Sequence, residues 1–185
     1  MDPNSDIENT KKVDASYLIQ KFSLLPHPEG GFFRESFRST SNVTTVSRSI
    51  SNELLEPNKS ASTAIYFLVV PGNVSRLHKI VSDEVWHFYL DGSLNIIELC
   101  DDNDSMFKLT RLGSDIVAGE IPQYVVKGDT WFGCYPDDDV EYSFVGCTVA
   151  PGFEFVDFEL GSREKLLIEF PGASEVINKL TEGLP

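Results

Sequence analysis

From Thr63 to Leu160 the chain is a succession of short runs rich in β-branched and aromatic residues, each closed by a turn signal. This rhythm restricts the fold more than any other feature of the sequence. The runs are TAIYFLVV, VSRLHKI, EVWHFYL, SLNIIEL, MFKLTRL, QYVVK, TWFGCY, YSFVGCTVA and EFVDFEL. Pro71-Gly72, Asp91-Gly92, Asp101 to Ser105, Gly113, Gly128-Asp129 and Pro136 to Asp139 separate them. Strands at this spacing, with no helices alternating between them, make an antiparallel sandwich or barrel. With 185 residues, 41% of them apolar, one sizeable core can form. No internal repeat is visible, so residues 13–185 are expected to be a single domain behind a disordered polar tail, 1–12.

The flanks differ from this centre. Asp14 is a plausible N-cap for a helix in DASYLIQKFSLL that sets Tyr17, Leu18 and Leu25 near one face, with Pro26 as its stop. In HPEGGFFRESFRS, Gly30-Gly31 breaks the helix and FFRESF alternates as a strand. Strict alternation puts Phe33, Glu35 and Phe37 on one face and Phe32, Arg34, Ser36 and Arg38 on the other. Arg34 at a barrel entrance can clamp a carboxylate or phosphate, or pair within the protein. Residues 39–62 are expected to be a long surface loop or lid, or an irregular hairpin used in dimer contacts. After Leu160 helices return, in SREKLLIEF with Ser162 as N-cap and in ASEVINKL with Val176, Ile177 and Leu180 on one face.

Charge removes whole classes of function. The chain carries 29 acidic against 15 Lys and Arg residues, a formal net charge of -14. Nucleic acid and anionic membrane surfaces are therefore disfavoured partners. No run approaches the roughly 18 apolar residues of a spanning helix, and the first residues lack a signal-peptide core, so a cytoplasmic location is expected. Cys100, Cys134 and Cys147 have no CxxC spacing and read as buried free thiols.

Chemistry concentrates in GNVSRLHKIVSDEVWHFYLDG, Gly72 to Gly92. A histidine and a carboxylate facing each other across a tight turn can bind a metal or move protons. Zinc or iron generally takes three or four protein ligands, and His78 with Glu84 supplies two. His87 is the third only if a bulge intervenes, since Glu84, Trp86 and Phe88 share one face and Val85, His87 and Tyr89 the other. No cofactor is therefore expected, with His78 and Glu84 as the ligands if a metal is present. Without metal, His78 serves as base with Glu84 orienting it, and Tyr89 or Tyr66 returns the proton from the opposite face. The alternative is a buried hydrogen-bonded His–Glu pair with no catalytic role. Trp131 and Phe132, with Trp86 and Phe88, can wall the pocket, and Gln123 can offer an amide to a ligand hydroxyl; equally, the aromatics can be core.

The same stretch resembles the first motif of the cupin superfamily, a glycine, five residues, His-x-His, three or four residues, Glu, six residues and Gly. Gly72, His78 and Glu84 fit; Ile80 replaces the second histidine and Gly92 comes one residue late. In VKGDTW, which resembles the second motif, Gly128 is kept while Val126 and Trp131 replace its proline and metal-binding histidine. HPEGGFFRESFRS, STAIYFL, SRLHKIVSDEVWHFY, PQYVVKGDTWF and VGCTVAPGFEFVDFEL, in this order, resemble the small single-barrel cupins long filed as a family of unknown function, similar in fold to the RmlC-like sugar epimerases. The resemblance implies an all-β fold, a double-stranded β-helix or jelly-roll barrel with a short N-terminal helix and C-terminal helices. It also implies a homodimer and a small-molecule pocket. The expected function is a metal-independent isomerase, epimerase or cyclase acting on a small hydroxylated or carbonyl compound. A non-catalytic ligand-binding protein and a metal-dependent cupin enzyme are the alternatives.

Overall fold

Alternation in the runs after Thr63 is realised as two facing antiparallel sheets. The computed structural model describes residues 13–44, 47–48, 54–55, 58–100 and 106–182. Its elements are α1 (Ala15–Phe22), β1 (Leu25–Pro26), β2 (Phe32–Arg38), β3 (Asn42–Thr44), β4 (Ser47–Arg48), β5 (Leu54–Leu55), β6 (Asn58–Ser60), β7 (Thr63–Val69), β8 (Ser75–Ile80) and β9 (Glu84–Asp91). There follow β10 (Leu94–Leu99), β11 (Phe107–Leu112), β12 (Gln123–Val126), β13 (Phe132–Pro136), β14 (Ser143–Val149), β15 (Phe158–Leu160), α2 (Arg163–Glu169) and α3 (Ser174–Leu180). One sheet has the order β1-β2-β7-β14-β9-β12, the other β11-β10-β13-β8-β15. This is the jelly-roll architecture expected from the strand spacing.

Between the sheets lies the interior, built from Phe67, Val69, Trp86, Leu94, Ile96, Leu112, Phe132, Val145 and their neighbours. Each outer face is then covered in part by helix. Helix α1, capped by the Asp14 carboxylate on the Tyr17 amide, lays Leu18 and Phe22 on the six-stranded sheet against Leu68, Tyr142 and Phe144. Tyr17 and Leu25, expected on that buried face, are exposed, because Ser23 turns left-handed and ends the helix before Leu25. Helices α2 and α3 cover the five-stranded sheet with Leu166, Ile177 and Leu180, and Val176 joins them partly buried. Ser162 stands at the N-cap position of α2 without a side-chain capping bond.

Two local departures from regularity position the site. Ser36 is an extra residue in β2, so pairing with β7 passes from Glu35↔Ile65 to Phe37↔Ala64. That bulge reverses the faces beyond it: Phe37, expected to share a face with Phe33 and Glu35, is turned out and exposed, and Arg38 comes in beside Thr63. The second departure is the turn His27 to Gly31. A Cβ on Gly30 would lie 2.0 Å from the Val74 carbonyl oxygen, so only glycine lets this turn press against the start of β8. Residues 39–62 include the hairpin pairs β3–β6 and β4–β5. Of the expected lid, residues 45–46, 49–53 and 56–57 lie outside the described residues, as do the 1–12 tail and Asp101 to Ser105.

Candidate functional site

The turn seats Glu29 against β8 with main-chain bonds. The Arg76 amide and Nε both donate to the Glu29 carbonyl, at 2.9 and 3.1 Å, and Arg76 Nη2 donates to the Pro28 carbonyl. Thus fixed, the Glu29 carboxyl points into the interior, where Ser75 Oγ donates to Oε1 at 2.8 Å. Its other oxygen lies 3.2 Å from His78 Nε2. His78 Nδ1 is 2.7 Å from the Arg76 carbonyl, which can only accept, so Nδ1 carries a proton. Burial lowers the His78 pKa to about 4 and raises that of Glu29. Burial disfavours a charge on either partner, and with its proton on Nδ1 a neutral His78 can only accept at Nε2, so the bonded form of the pair has the Glu29 carboxyl donating to it.

A second acid lies nearby. Glu84, at the start of β9, accepts from Trp86 Nε1 at 3.1 Å and from the Cys147 thiol. Burial first, and the proximity of Glu29 second, push its pKa up to about 8. His27 completes the group. The Glu29 amide donates to His27 Nδ1 at 3.3 Å, so the proton sits on Nε2. The side chain is 8% exposed, burial lowers its pKa, and it lines a cavity. A ring N–H at a cavity wall can donate to a ligand oxygen.

These groups line one open-mouthed cavity of about 730 Å³, its mouth included. Phe33, Phe67, Trp86, Phe153, Phe155 and Phe158 give it six aromatic lining residues. At the mouth Arg38 bonds both oxygens of Glu35, at 3.0 and 2.8 Å, and also Glu154 at 2.6 Å and the Phe153 carbonyl at 3.1 Å. Behind this rim, Lys59 of β6 makes a buried 2.6 Å ion pair with Asp157 and ties the hairpin to the segment before β15.

Of the residues singled out in the sequence, His78, Glu84 and Trp86 line this cavity. His78, however, contacts Glu29 and not Glu84. Phe88 packs into the interior cluster deeper in the barrel. Arg34, Tyr66, His87 and Gln123 lie in register across β2, β7, β14, β9 and β12, with Gly146 between Tyr66 and His87. They share the outer face and do not line the cavity, since alternation sends Glu35, Ile65, Cys147 and Trp86 the other way. His87 there meets Thr148 and Gln123, each at 3.2 Å. Tyr89 is outside too, its ring over Gly146 and 6.3 Å from that of Tyr66. Trp131 packs under the C-terminal helices with Lys79 above its ring; Phe132 is the inward residue, its ring centre 4.2 Å from that of His78. His27, Glu29 and Arg38 were not singled out. The only sequence signal for the first two is their place beside Gly30-Gly31, where backbone freedom is demanded.

A metal centre, implied by the cupin motifs, does not fit the donors present. His78 Nε2 is engaged by Glu29, and Glu84 accepts from Trp86 and Cys147. Among the described residues no group of three or more His, Cys, Asp or Glu is placed to hold an ion.

A jelly-roll barrel with a cavity opening between its sheets is the architecture of the cupin class of proteins. The chain belongs to that class: the Cupin superfamily (DUF985) family matches residues 16–161. It is similar to a hypothetical protein from Leishmania major, 30% identical, with 91% of this chain and 98% of that one covered at a TM-score of 0.80. A Shewanella oneidensis protein is 36% identical over 91% of this chain and 97% of its own, with a TM-score of 0.76. An uncharacterized protein of Saccharomyces cerevisiae is 29% identical over 146 residues, 76% of this chain and 71% of that protein. Among the described residues, no helix is long and apolar enough to cross a membrane.

Proposed function

We propose that this cupin is a metal-independent isomerase or epimerase that moves a proton on a small carbonyl or hydroxylated compound. The observation that carries the reading is the 3.2 Å Glu29–His78 contact inside the cavity. Passing the shared proton to His78 Nε2 leaves Glu29 as a carboxylate base without changing the charge of the pair. Glu29 then takes a proton from carbon, and His27 Nε2–H donates to the substrate carbonyl oxygen as a neutral imidazole. Glu29, protonated in that step, returns the proton to the neighbouring carbon or oxygen, so one proton leaves and one enters. The expected roles change: Glu29 and not Glu84 partners His78, and the carboxylate, not the imidazole, takes the proton from carbon. A homodimer, as the cupin resemblance implies, is part of this reading, with the cytoplasmic location expected from the sequence; a monomer in light scattering removes the dimer.

The test uses solvent deuterium. Wild-type protein incubated in D2O with candidate aldehydes, ketones and hydroxy-ketones is expected to place deuterium on a carbon beside the carbonyl. Glu29→Gln and His78→Ala are expected to slow that exchange by about a hundred- to ten-thousand-fold. His87→Ala, on the outer face, is expected to leave it within about twofold. A compound that binds and returns with no deuterium at any carbon establishes the alternative, a ligand-binding protein.

A further inference from the structure

The charge of the ligand can be read from the cavity wall. Four carboxyls line it, Glu29, Glu35, Glu84 and Glu154, against one arginine and no lysine. That arginine is committed. Of its five N–H donors, Nε and Nη2 serve both Glu35 oxygens and the Phe153 carbonyl, and Nη1 serves Glu154. Arg38 with its two partners leaves the mouth one negative charge in excess. His27 and His78 are both held neutral by burial. The protein around the cavity carries a net charge of -14, which draws cations toward it.

From this arrangement we infer that the cavity selects a small cationic nitrogen compound and turns away carboxylates and phosphates. The inference rests on reading this cavity as the site and names the class of ligand it takes. An ammonium or amidinium group passing the mouth meets the uncompensated carboxylate charge, then a wall of six aromatic rings, whose π systems attract cations. Deeper in, its N–H donors reach Glu84. The groups that face Glu84 are Glu29, the Trp86 indole and the Cys147 and Cys134 thiols, none of them a cation. An incoming positive charge therefore lets Glu84 ionise and release its proton, and the buried charge is paired as it forms. A carboxylate can accept hydrogen bonds from protonated Glu29 and Glu84. Among the described residues of the lining it finds no free fixed cation, and it enters stripped of water beside four acids.

Three ring compounds of one size test the charge alone: benzylamine, benzyl alcohol and benzoate. Titrated into the full chain at neutral pH, benzylamine is expected to bind more tightly than benzoate by at least about tenfold, with benzyl alcohol between them. Calorimetry in buffers of different ionisation enthalpy is expected to show a proton released on binding benzylamine. Glu84→Gln is expected to weaken benzylamine, abolish the proton release and leave benzyl alcohol unchanged. Glu35→Gln with Glu154→Gln frees Arg38 and is expected to raise benzoate affinity.

Benzoate binding the wild type as tightly as benzylamine overturns the inference. So does a benzylamine affinity indifferent to Glu84→Gln, which assigns the binding to the acidic surface, and so does absence of saturation at millimolar benzylamine. Cation selectivity without deuterium incorporation at carbon sinks the catalytic reading and leaves this one standing. Exchange on a carboxylated compound does the reverse.

Discussion

Two rows of residues run across the same five strands, one position apart. Arg34, Tyr66, Gly146, His87 and Gln123 form the outer row; Glu35, Ile65, Cys147, Trp86 and Tyr124 form the inner. Both rows hold the residue types from which active sites are made. The inner row faces the space between the sheets, and burial there does what composition cannot: it turns Glu84, on the same face, into an acid with a pKa of about 8. His87 outside and His78 inside are both lowered by burial, yet only His78 is brought to about 4 and aimed at a carboxyl. A residue's chemistry here is set by which side of the sheet it faces and only then by what it is.

The largest expected difference between the rows is in stability. Trp86 is fully buried, edge-on to Phe67 and Phe132 at 6.0 and 6.2 Å, and its indole N–H serves Glu84. Trp86→Ala is expected to lower the unfolding free energy by about 3–5 kcal/mol. Tyr89, three residues on and 44% exposed, is expected to cost about 1 kcal/mol when changed to alanine. Urea denaturation of both variants checks the contrast, and equal losses would break it.

The architecture was legible because strand period and turn residues are local signals, repeated nine times between Thr63 and Leu160. Helix α1 was legible from its cap, and α3 from its apolar face. The site was legible only where alternation stays regular. In β9, Glu84 and Trp86 were assigned to one face and His87 and Tyr89 to the other, and the structure keeps that division. In β2 a single extra residue, Ser36, exchanged Arg38 for Phe37 on the inner face, and nothing in FFRESFR announces a bulge. Glu29 and His27 depended on a loop pressed against β8 from 46 residues earlier in the chain, the separation of Glu29 from Ser75. Such a contact is written in no local period. Trp131 and Phe132 were both offered as pocket wall, and since neighbours in a strand face opposite ways only Phe132 turns inward.

The next contrast is in pH dependence. Glu84 has its pKa raised from 4.5 to about 8, so the folded protein holds a proton there that the unfolded chain gives up. Its contribution to stability is present below pH 4.5 and is lost as pH rises toward 8. His78, lowered from 6.5 to about 4, runs the other way: its contribution is present above pH 6.5 and is lost as pH falls toward 4. Between pH 4.5 and 6.5 the two oppose each other. From 6.5 to 8 Glu84 acts alone of the pair, so the melting temperature is expected to fall across that window. Glu84→Gln, which cannot ionise, is expected to flatten the fall. Melting curves of both proteins at half-unit steps measure it, and parallel slopes would show that Glu84 is already ionised at pH 6.5.

The smallest contrast separates two arginines on either side of the bulge. Arg34 is exposed on the outer face, and its replacement by alanine is expected to change stability by less than about 0.5 kcal/mol. Arg38 is also largely exposed, so its ion pairs with Glu35 and Glu154 are screened and worth at most about 1 kcal/mol each. Arg38→Ala is therefore expected to lower stability by about 1 kcal/mol, with a larger consequence for binding. With Arg38 removed, Glu35 and Glu154 face the mouth unneutralised, and affinity for benzylamine should rise while that for benzoate falls further. Arg34→Ala should move neither. If Arg34→Ala were the variant that altered binding, Ser36 would not be bulged in solution and β2 would present its other face to the cavity.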